Sequence, residues 1–227
     1  MTDQPNIVDG HGADDAFPPG PELARVVDAL RRATDLVVRP GAPPGVLADA
    51  ADDVERAVER LEGPTRPWRA SLPARPRVGL GPDQFFPFSP MIGRFSPLAP
   101  PVRCEVHDDG GVVGRAVLGA AYEGPPGCVH GGIIAGLFDE VLGVANIAAG
   151  VGAMTGTLTV VYRSPTPLYA ELRLEARTET IERRKVRTTG TLRAGARLCA
   201  EAEGTFVLVP HERFVAHARE HGAPTAP

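Results

Sequence analysis

The chain has 227 residues, of which 43% are hydrophobic and 23% are charged, and its formal net charge is −4. These proportions are typical of a globular protein and exclude global disorder. The basic residues are 23 arginines and one lysine, interspersed with acidic residues in blocks of at most three. Such a pattern argues against a nucleic-acid-binding surface.

The three cysteines lie far apart, and no pair has the spacing of metal ligands. The first ten residues, MTDQPNIVDG, carry neither a basic segment nor an apolar run. A low, odd cysteine count without a signal peptide indicates a reducing cytoplasm, so we expect a cytoplasmic protein. The most apolar stretch, residues 131–151, contains Asp139 and Glu140 and is therefore interpreted as a buried helix rather than a membrane span.

Prolines are concentrated in the first half of the chain, with 16 in residues 1–100 and 8 in the remainder. Residues 1–20 are polar and predict a flexible tail. Apolar residues at helical spacing across 21–63, interrupted by RPGAPPG, predict two amphipathic helices arranged as a helical hairpin. Residues 64–100 form a Pro-rich connection without periodicity, in which Phe85 and Phe88 either line an apolar ligand or attach the connection to the core.

The second half alternates as strand, strand, one long apolar helix and four strands, between residues 101 and 210. In 171–177, leucine and alanine alternate with glutamate and arginine, which is typical of an antiparallel sheet with one solvated face. The sequence therefore predicts an α+β fold in which one antiparallel sheet wraps around one long central helix. Residues 211–227 are expected to form a C-terminal tail.

The predicted central helix carries most of the candidate chemistry. Asp139 lies midway along a stripe of small residues, where a carboxylate suits general-base catalysis; the alternative is an exposed aspartate on the outer face. Gly131 and Gly132 begin the helix, where free N–H groups and the helix dipole stabilise an oxyanion. His130 precedes them, and we interpret it as orienting the loop rather than carrying a proton.

Gly132 and Asp139 are seven residues apart, which corresponds to ~10 Å along a helix axis. One reacting carbon cannot contact both groups of the same helix. If both act on one substrate, they come from two chains with antiparallel helices, and a two-fold dimer provides this arrangement.

The pattern of His130, two glycines and an aspartate nine residues after the histidine is followed by a Thr- and Val-rich strand that ends in YRSPTP (162–167). Together these features resemble the hot-dog-fold acyl-CoA thioesterases, of the phenylacetate-degradation type and the thioesterase-superfamily-member type. The resemblance covers about residues 100–210 and implies a hot-dog domain with an N-terminal helical extension.

This resemblance implies a role for each matching residue. Asp139 takes the place of the catalytic carboxylate, as general base or as nucleophile, and Gly132 that of the amide that polarises the thioester carbonyl. Thr155 takes the place of the hydroxyl that positions the water, although Thr157 lies close enough to be confused with it. Some members carry an Asn or Gln six residues before the histidine, where this chain has Gly124.

The predicted substrate requires basic residues for the phosphates of CoA and an apolar tunnel for the acyl chain. The only compact basic cluster is ERRKVR (182–187), so Arg183, Arg184 and Lys185 are candidate CoA ligands, the alternative being a solvated hairpin tip. We expect no metal or other cofactor, no membrane or nucleic-acid partner, and a homodimer or a tetramer of dimers.

The leading hypothesis is therefore hydrolysis of an acyl-CoA to a free carboxylic acid and CoA, in the context of fatty acid metabolism. A hot-dog hydratase or dehydratase is a weaker alternative, because its His/Asp arrangement is not found. A non-catalytic acyl-CoA sensor or scaffold would retain the fold and the basic cluster but would not need Asp139.

Overall fold

The structure is a computed structural model, and it describes residues 20–63, 86–210 and 213. Within that part of the chain, the α-helices are α1 (Pro21–Val37), α2 (Pro44–Leu61) and α3 (Gly131–Ala148). The strands are β1 (Arg103–Val106), β2 (Val112–Val117), β3 (Ala153–Tyr162), β4 (Glu171–Glu182), β5 (Lys185–Ala194) and β6 (Arg197–Leu208). The predicted tails, apart from Gly20 and Arg213, and the first part of the Pro-rich connection, including Phe85, lie outside the described residues.

The strands form one antiparallel sheet in the order β1-β2-β4-β5-β6-β3, and α3 packs against it. The predicted α+β hot-dog fold is confirmed. Its core follows the alternation in the sequence, because Leu172 and Leu174 on β4 are fully buried while the alternate residues Arg173 and Glu175 remain accessible. Phe138 and Leu142 of α3 are buried in the same core. Length and composition would let α3 cross a membrane, but here its apolar residues form the core.

Two helices occur within the predicted range 21–63, but they do not form a packed hairpin. All residues of α2 are exposed, so its apolar stripe is not buried against α1 or the sheet. α1 packs elsewhere, against residues 86–99, which we call the covering segment. Val27 of α1 is buried, and the Arg31 guanidinium donates to the carbonyl oxygens of Gly93 and Ser96, each at 2.9 Å.

The covering segment is a chain of tight turns that the sequence pattern did not predict. Ser89 Oγ accepts from the backbone N–H groups of Met91 (3.1 Å) and Ile92 (3.3 Å), and the Gly93 N–H donates to the Ser89 carbonyl at 3.0 Å. A side chain at Gly93 would place its Cβ 2.4 Å from the Ser89 nitrogen, so glycine is required there. Ile92 is buried in the core, which fixes the segment to the domain.

Candidate active site

The YRSPTP motif holds the loop that leads into α3. The Val129 N–H donates to the carbonyl oxygen of Thr166 at 2.9 Å, and the Tyr162 hydroxyl donates to the carbonyl oxygen of Gly131 at 2.8 Å. Thr166 is buried. The end of β3 and the turn after it therefore fix where the first turn of α3 begins.

His130 is the N-cap residue of α3. Its Nδ1 atom accepts a hydrogen bond from the Gly132 N–H at 2.9 Å, which satisfies one of the unpaired donors of the first turn. The ring therefore caps the helix, and its role in orienting the loop stays a prediction. It also engages the amide predicted to polarise the substrate, so a thioester carbonyl would have to replace Nδ1 as the acceptor. Both residues are exposed, so this exchange is open to a ligand from solvent.

Gly124 lies against the capping histidine. A Cβ atom at position 124 would lie 2.7 Å from the His130 Cα atom. Since that contact is with backbone, an Asn or Gln side chain does not fit here without moving the loop. The packing of this loop therefore accommodates glycine at position 124 and not the Asn or Gln that some family members carry there.

Asp139 and Thr155 are in direct contact, because the Thr155 hydroxyl donates to Asp139 Oδ1 at 2.7 Å. A register shift between Thr155 and Thr157 brings this about. Strand residues normally alternate between faces, and an extra residue at Gly156 reverses the alternation. Thr155 therefore pairs with the buried Phe206 on the helix side of the sheet, whereas Thr157 pairs with Thr205. The structure thus separates two threonines that the sequence left as alternatives.

Glu140 was missed in the sequence analysis, although it directly follows Asp139 on α3. The Ser89 hydroxyl lies near the Glu140 carboxyl. Burial raises the pKa of this carboxyl, the nearby Ser89 hydroxyl lowers it, and the charge of Asp139 raises it further. The signal available in the sequence was a second acid inside an otherwise apolar helix. Nothing in the sequence connected that acid to position 89.

Met91 lies against the small-residue stripe of α3. A Cβ atom built on Gly136 would be 2.6 Å from Met91 Cε and 3.0 Å from its Sδ, so the thioether occupies the space that the glycine leaves. Gly136 follows Gly132 by one turn and precedes Asp139 by three residues. Positions at this spacing share one face of a helix. Met91 therefore lies between the two predicted catalytic groups.

The predicted CoA ligands form the exposed turn between β4 and β5, where Arg183 has a φ of 51°. They do not contact Asp139. The register places Lys185 opposite Val207 of β6, and Val207 opposite Met154 of β3. The basic turn is therefore at the end of the sheet where β3 begins, ~10 Å from the residue before Thr155, since neighbouring strands are ~4.8 Å apart.

The aromatic candidates are only partly described. Phe88 is 50% exposed, and its ring centroid lies 6.1 Å from that of Phe95, also in the covering segment. Phe86 packs against the core. Within the covering segment, Phe86 and Phe88 thus precede Met91, and Phe95 follows it.

The chain is similar to known thioesterases in sequence and in fold. The family model of the thioesterase superfamily matches residues 126–200. The crystal structure of a thioesterase superfamily protein is 33% identical, with a TM-score of 0.72, over 86% of this chain and 92% of that chain. The acyl-coenzyme A thioesterase THEM4 of Xenopus laevis is 38% identical over 91 residues, which are 40% of this chain and 41% of that protein. The acyl-coenzyme A thioesterase THEM4 of Mus musculus is 34% identical over 97 residues, which are 42% of each protein. This chain spans about two fifths of the length of the curated relatives it matches.

Proposed function

We propose that this chain, which belongs to the thioesterase superfamily, hydrolyses an acyl-CoA thioester to a carboxylic acid and CoA. The observation that carries the proposal is the Asp139 carboxylate, held at 2.7 Å by Thr155 on the inner face of β3. The relatives named acyl-coenzyme A thioesterase support CoA as the leaving group. The cytoplasm is the proposed compartment.

In the proposed reaction, Asp139 removes a proton from water while the water oxygen bonds to the thioester carbonyl carbon. The Thr155 hydroxyl donates its hydrogen to Asp139 Oδ1, so the hydroxyl oxygen of Thr155 can accept a hydrogen bond from that water. The C–S bond then breaks, and the proton on Asp139 passes to the departing thiolate. The chemistry uses only water and groups of the chain, so we propose that no metal or further cofactor takes part.

The developing negative charge on the carbonyl oxygen is stabilised by the Gly132 N–H at the positive end of the helix dipole. The substrate carbonyl takes the place of His130 Nδ1 as acceptor. Because Gly132 and Asp139 are ~10 Å apart along α3, we propose that the Asp139 serving a given Gly132 belongs to a second chain. β3 supports such a dimer, since it is an edge strand of the sheet whose Met154 and Tyr162 side chains are each 53% exposed.

The exposed basic turn is the proposed binding site for the phosphates of CoA. Arg183, Arg184 and Lys185 are at the end of the sheet near Thr155, with their side chains in solvent, where they can form charge-assisted hydrogen bonds to phosphate. The covering segment, which includes Phe88, is the proposed lining for the acyl chain. Phe85, which lies outside the described residues, is proposed to belong to the same lining.

The test is hydrolysis of a panel of acyl-CoAs, followed with a thiol reagent, by the wild type and by Asp139→Asn. The variant retains the shape of the side chain but removes the carboxylate that both the general-base and the nucleophilic route require. We expect a loss of at least 100-fold in kcat, in the range of general acid–base catalysis, ~10²–10⁴-fold. Asp52→Asn, the same substitution on the exposed α2, is the matched control. Unaltered hydrolysis by Asp139→Asn, or binding without hydrolysis by the wild type, would contradict the proposal, and the second result would favour the sensor alternative.

A further inference from the structure

The Tyr162 hydroxyl contacts the peptide unit that begins α3. It donates to the carbonyl oxygen of Gly131 at 2.8 Å, a usual distance for a hydrogen bond from a hydroxyl. The carbon of that carbonyl is bonded to the nitrogen of Gly132. The C=O that accepts from Tyr162 and the N–H that is proposed to hold the oxyanion therefore belong to one planar peptide unit. The hydroxyl thus reaches the proposed oxyanion donor through a single amide group.

The sheet holds Tyr162 in this place. Tyr162 is the last residue of β3 and pairs with the fully buried Ala200 of β6. Directly after it, the Arg163 N–H donates to the carbonyl oxygen of the buried Cys199 at 2.8 Å. The aromatic ring lies alongside Gly131, since a Cβ atom built there would be 3.5 Å from Tyr162 Cζ. The hydroxyl is therefore supported by the core of the domain, whereas the peptide that it contacts lies between two glycines and has no side chain of its own to restrict it.

We propose that Tyr162 is a positioning residue of the oxyanion hole, which orients and polarises the Gly132 N–H. This inference rests on the proposed thioester hydrolysis. A hydrogen bond to the carbonyl oxygen of an amide draws electron density toward that oxygen, which makes the N–H of the same amide a stronger donor. As negative charge develops on the substrate oxygen, the Gly131 carbonyl oxygen becomes more basic in turn. The bond from Tyr162 is therefore stronger in the transition state than in the bound substrate, so its contribution is to kcat rather than to KM.

The first measurement is kcat and KM for one acyl-CoA, with the wild type and Tyr162→Phe. The substitution removes only the hydroxyl and retains the ring. We expect kcat to fall about fivefold, the factor that corresponds to one hydrogen bond of ~1 kcal/mol, while KM stays within about twofold. Tyr169→Phe is the matched control, because Tyr169 is also 53% exposed and its hydroxyl accepts from Arg39; its kcat and KM should equal those of the wild type. Equal kcat in the two variants would overturn the inference, and so would a rise in KM that accounts for the whole loss.

The second measurement observes the carbonyl directly. An acyl-CoA analogue with a methylene group in place of the thioester sulfur cannot be hydrolysed, and the infrared stretching frequency of its ¹³C-labelled carbonyl falls as hydrogen bonds to it strengthen. The bound analogue should absorb at a higher frequency in Tyr162→Phe than in the wild type and in Tyr169→Phe, which should agree with each other. Only folded protein binds the analogue, so partial unfolding of a variant does not obscure the result.

The two measurements separate this inference from the proposed function. A hydrogen bond that only joins β3 to α3 would leave the carbonyl frequency unchanged when it is removed. Hydrolysis by the wild type with an unshifted frequency in Tyr162→Phe would therefore overturn the positioning role alone. If the wild type hydrolyses no acyl-CoA, the proposed function and the positioning role both fall.

Discussion

Replacing Arg31 with alanine should detach α1 from the covering segment. The Arg31 side chain is 14% exposed, and its Nη2 atom donates to the carbonyl oxygens of Gly93 and Ser96, both at 2.9 Å. Gly93 and Ser96 are themselves buried. The variant removes both hydrogen bonds and leaves each carbonyl only its backbone partner, the Ser96 N–H for Gly93 and the Ala99 N–H for Ser96, both at 3.2 Å.

The magnitude follows from these two contacts. A hydrogen bond to a charged group contributes about 1.5–3 kcal/mol, so two of them predict a loss of at least ~3 kcal/mol in the free energy of unfolding. The neighbouring pair between Asp28 and Arg94 is a more exposed ion pair, at 2.7 and 3.0 Å. Surface pairs contribute ~1 kcal/mol or less, so it cannot compensate for the loss of Arg31.

Urea unfolding followed by circular dichroism measures this effect. With a slope of about 2 kcal/mol per molar urea, a loss of ~3 kcal/mol lowers the midpoint by ~1.5 M. Arg32→Ala is the matched control, since Arg32 is the next residue on α1 and is exposed; it should lie within ~0.5 kcal/mol of the wild type. If the two variants unfold within 0.5 kcal/mol of each other, the guanidinium contacts do not hold α1, and the reasoning is wrong.

Two further predictions concern the site itself. Thr155→Ala should lower kcat by about 10- to 100-fold, the equivalent of losing a hydrogen bond to a charged group, ~1.5–3 kcal/mol. Thr157→Ala, on the other side of the bulge, should leave steady-state hydrolysis unchanged. Equal losses of kcat in the two variants would show that the bulge does not select Thr155. For Glu140, the folded state holds its proton more tightly than the unfolded chain, because burial raises the pKa of its carboxyl above the ordinary value of 4.5. The stability that the protonated carboxyl contributes is therefore fully present below pH 4.5 and is lost as pH rises through the raised pKa. In urea unfolding at several pH values, the stability advantage of Glu140→Gln over the wild type should therefore grow with pH across that interval. Stability curves of the two proteins that stay parallel with pH would contradict this.

The sheet and α3 were predictable because their signals are local. Alternation in 171–177 and an apolar run bounded by glycine are properties of neighbouring residues, and burial of one face follows directly from them. The same reasoning failed for α2, whose amphipathic pattern predicts a buried stripe although its side chains are exposed. A periodic pattern indicates that a helix has an apolar face, but it does not specify what covers that face.

The candidate site was only partly predictable, for a different reason. Asp139 and Gly132 stand out by residue type and spacing, but the choice between Thr155 and Thr157 depends on one extra residue in the β3–β6 ladder. Both threonines have the same neighbours in composition, and Gly156 between them is compatible with a regular strand or a bulge. Sheet register is a non-local property, so only the pairing with β6 decides which hydroxyl faces the helix.

The N-terminal helix was assigned no purpose from the sequence, and its contacts now suggest one. Arg31 binds backbone carbonyl oxygens, which every residue type presents, so no side-chain pattern in 86–99 signals the contact. The turn that Arg31 holds at Gly93 is the one that Ser89 opens, because the Gly93 N–H donates to the Ser89 carbonyl. The same turn places Met91 against Gly136 of α3. α1 is therefore connected, through this turn and the packing of Met91, to the face of α3 that carries Asp139, and loosening α1 should act on the proposed acyl site before it affects the sheet.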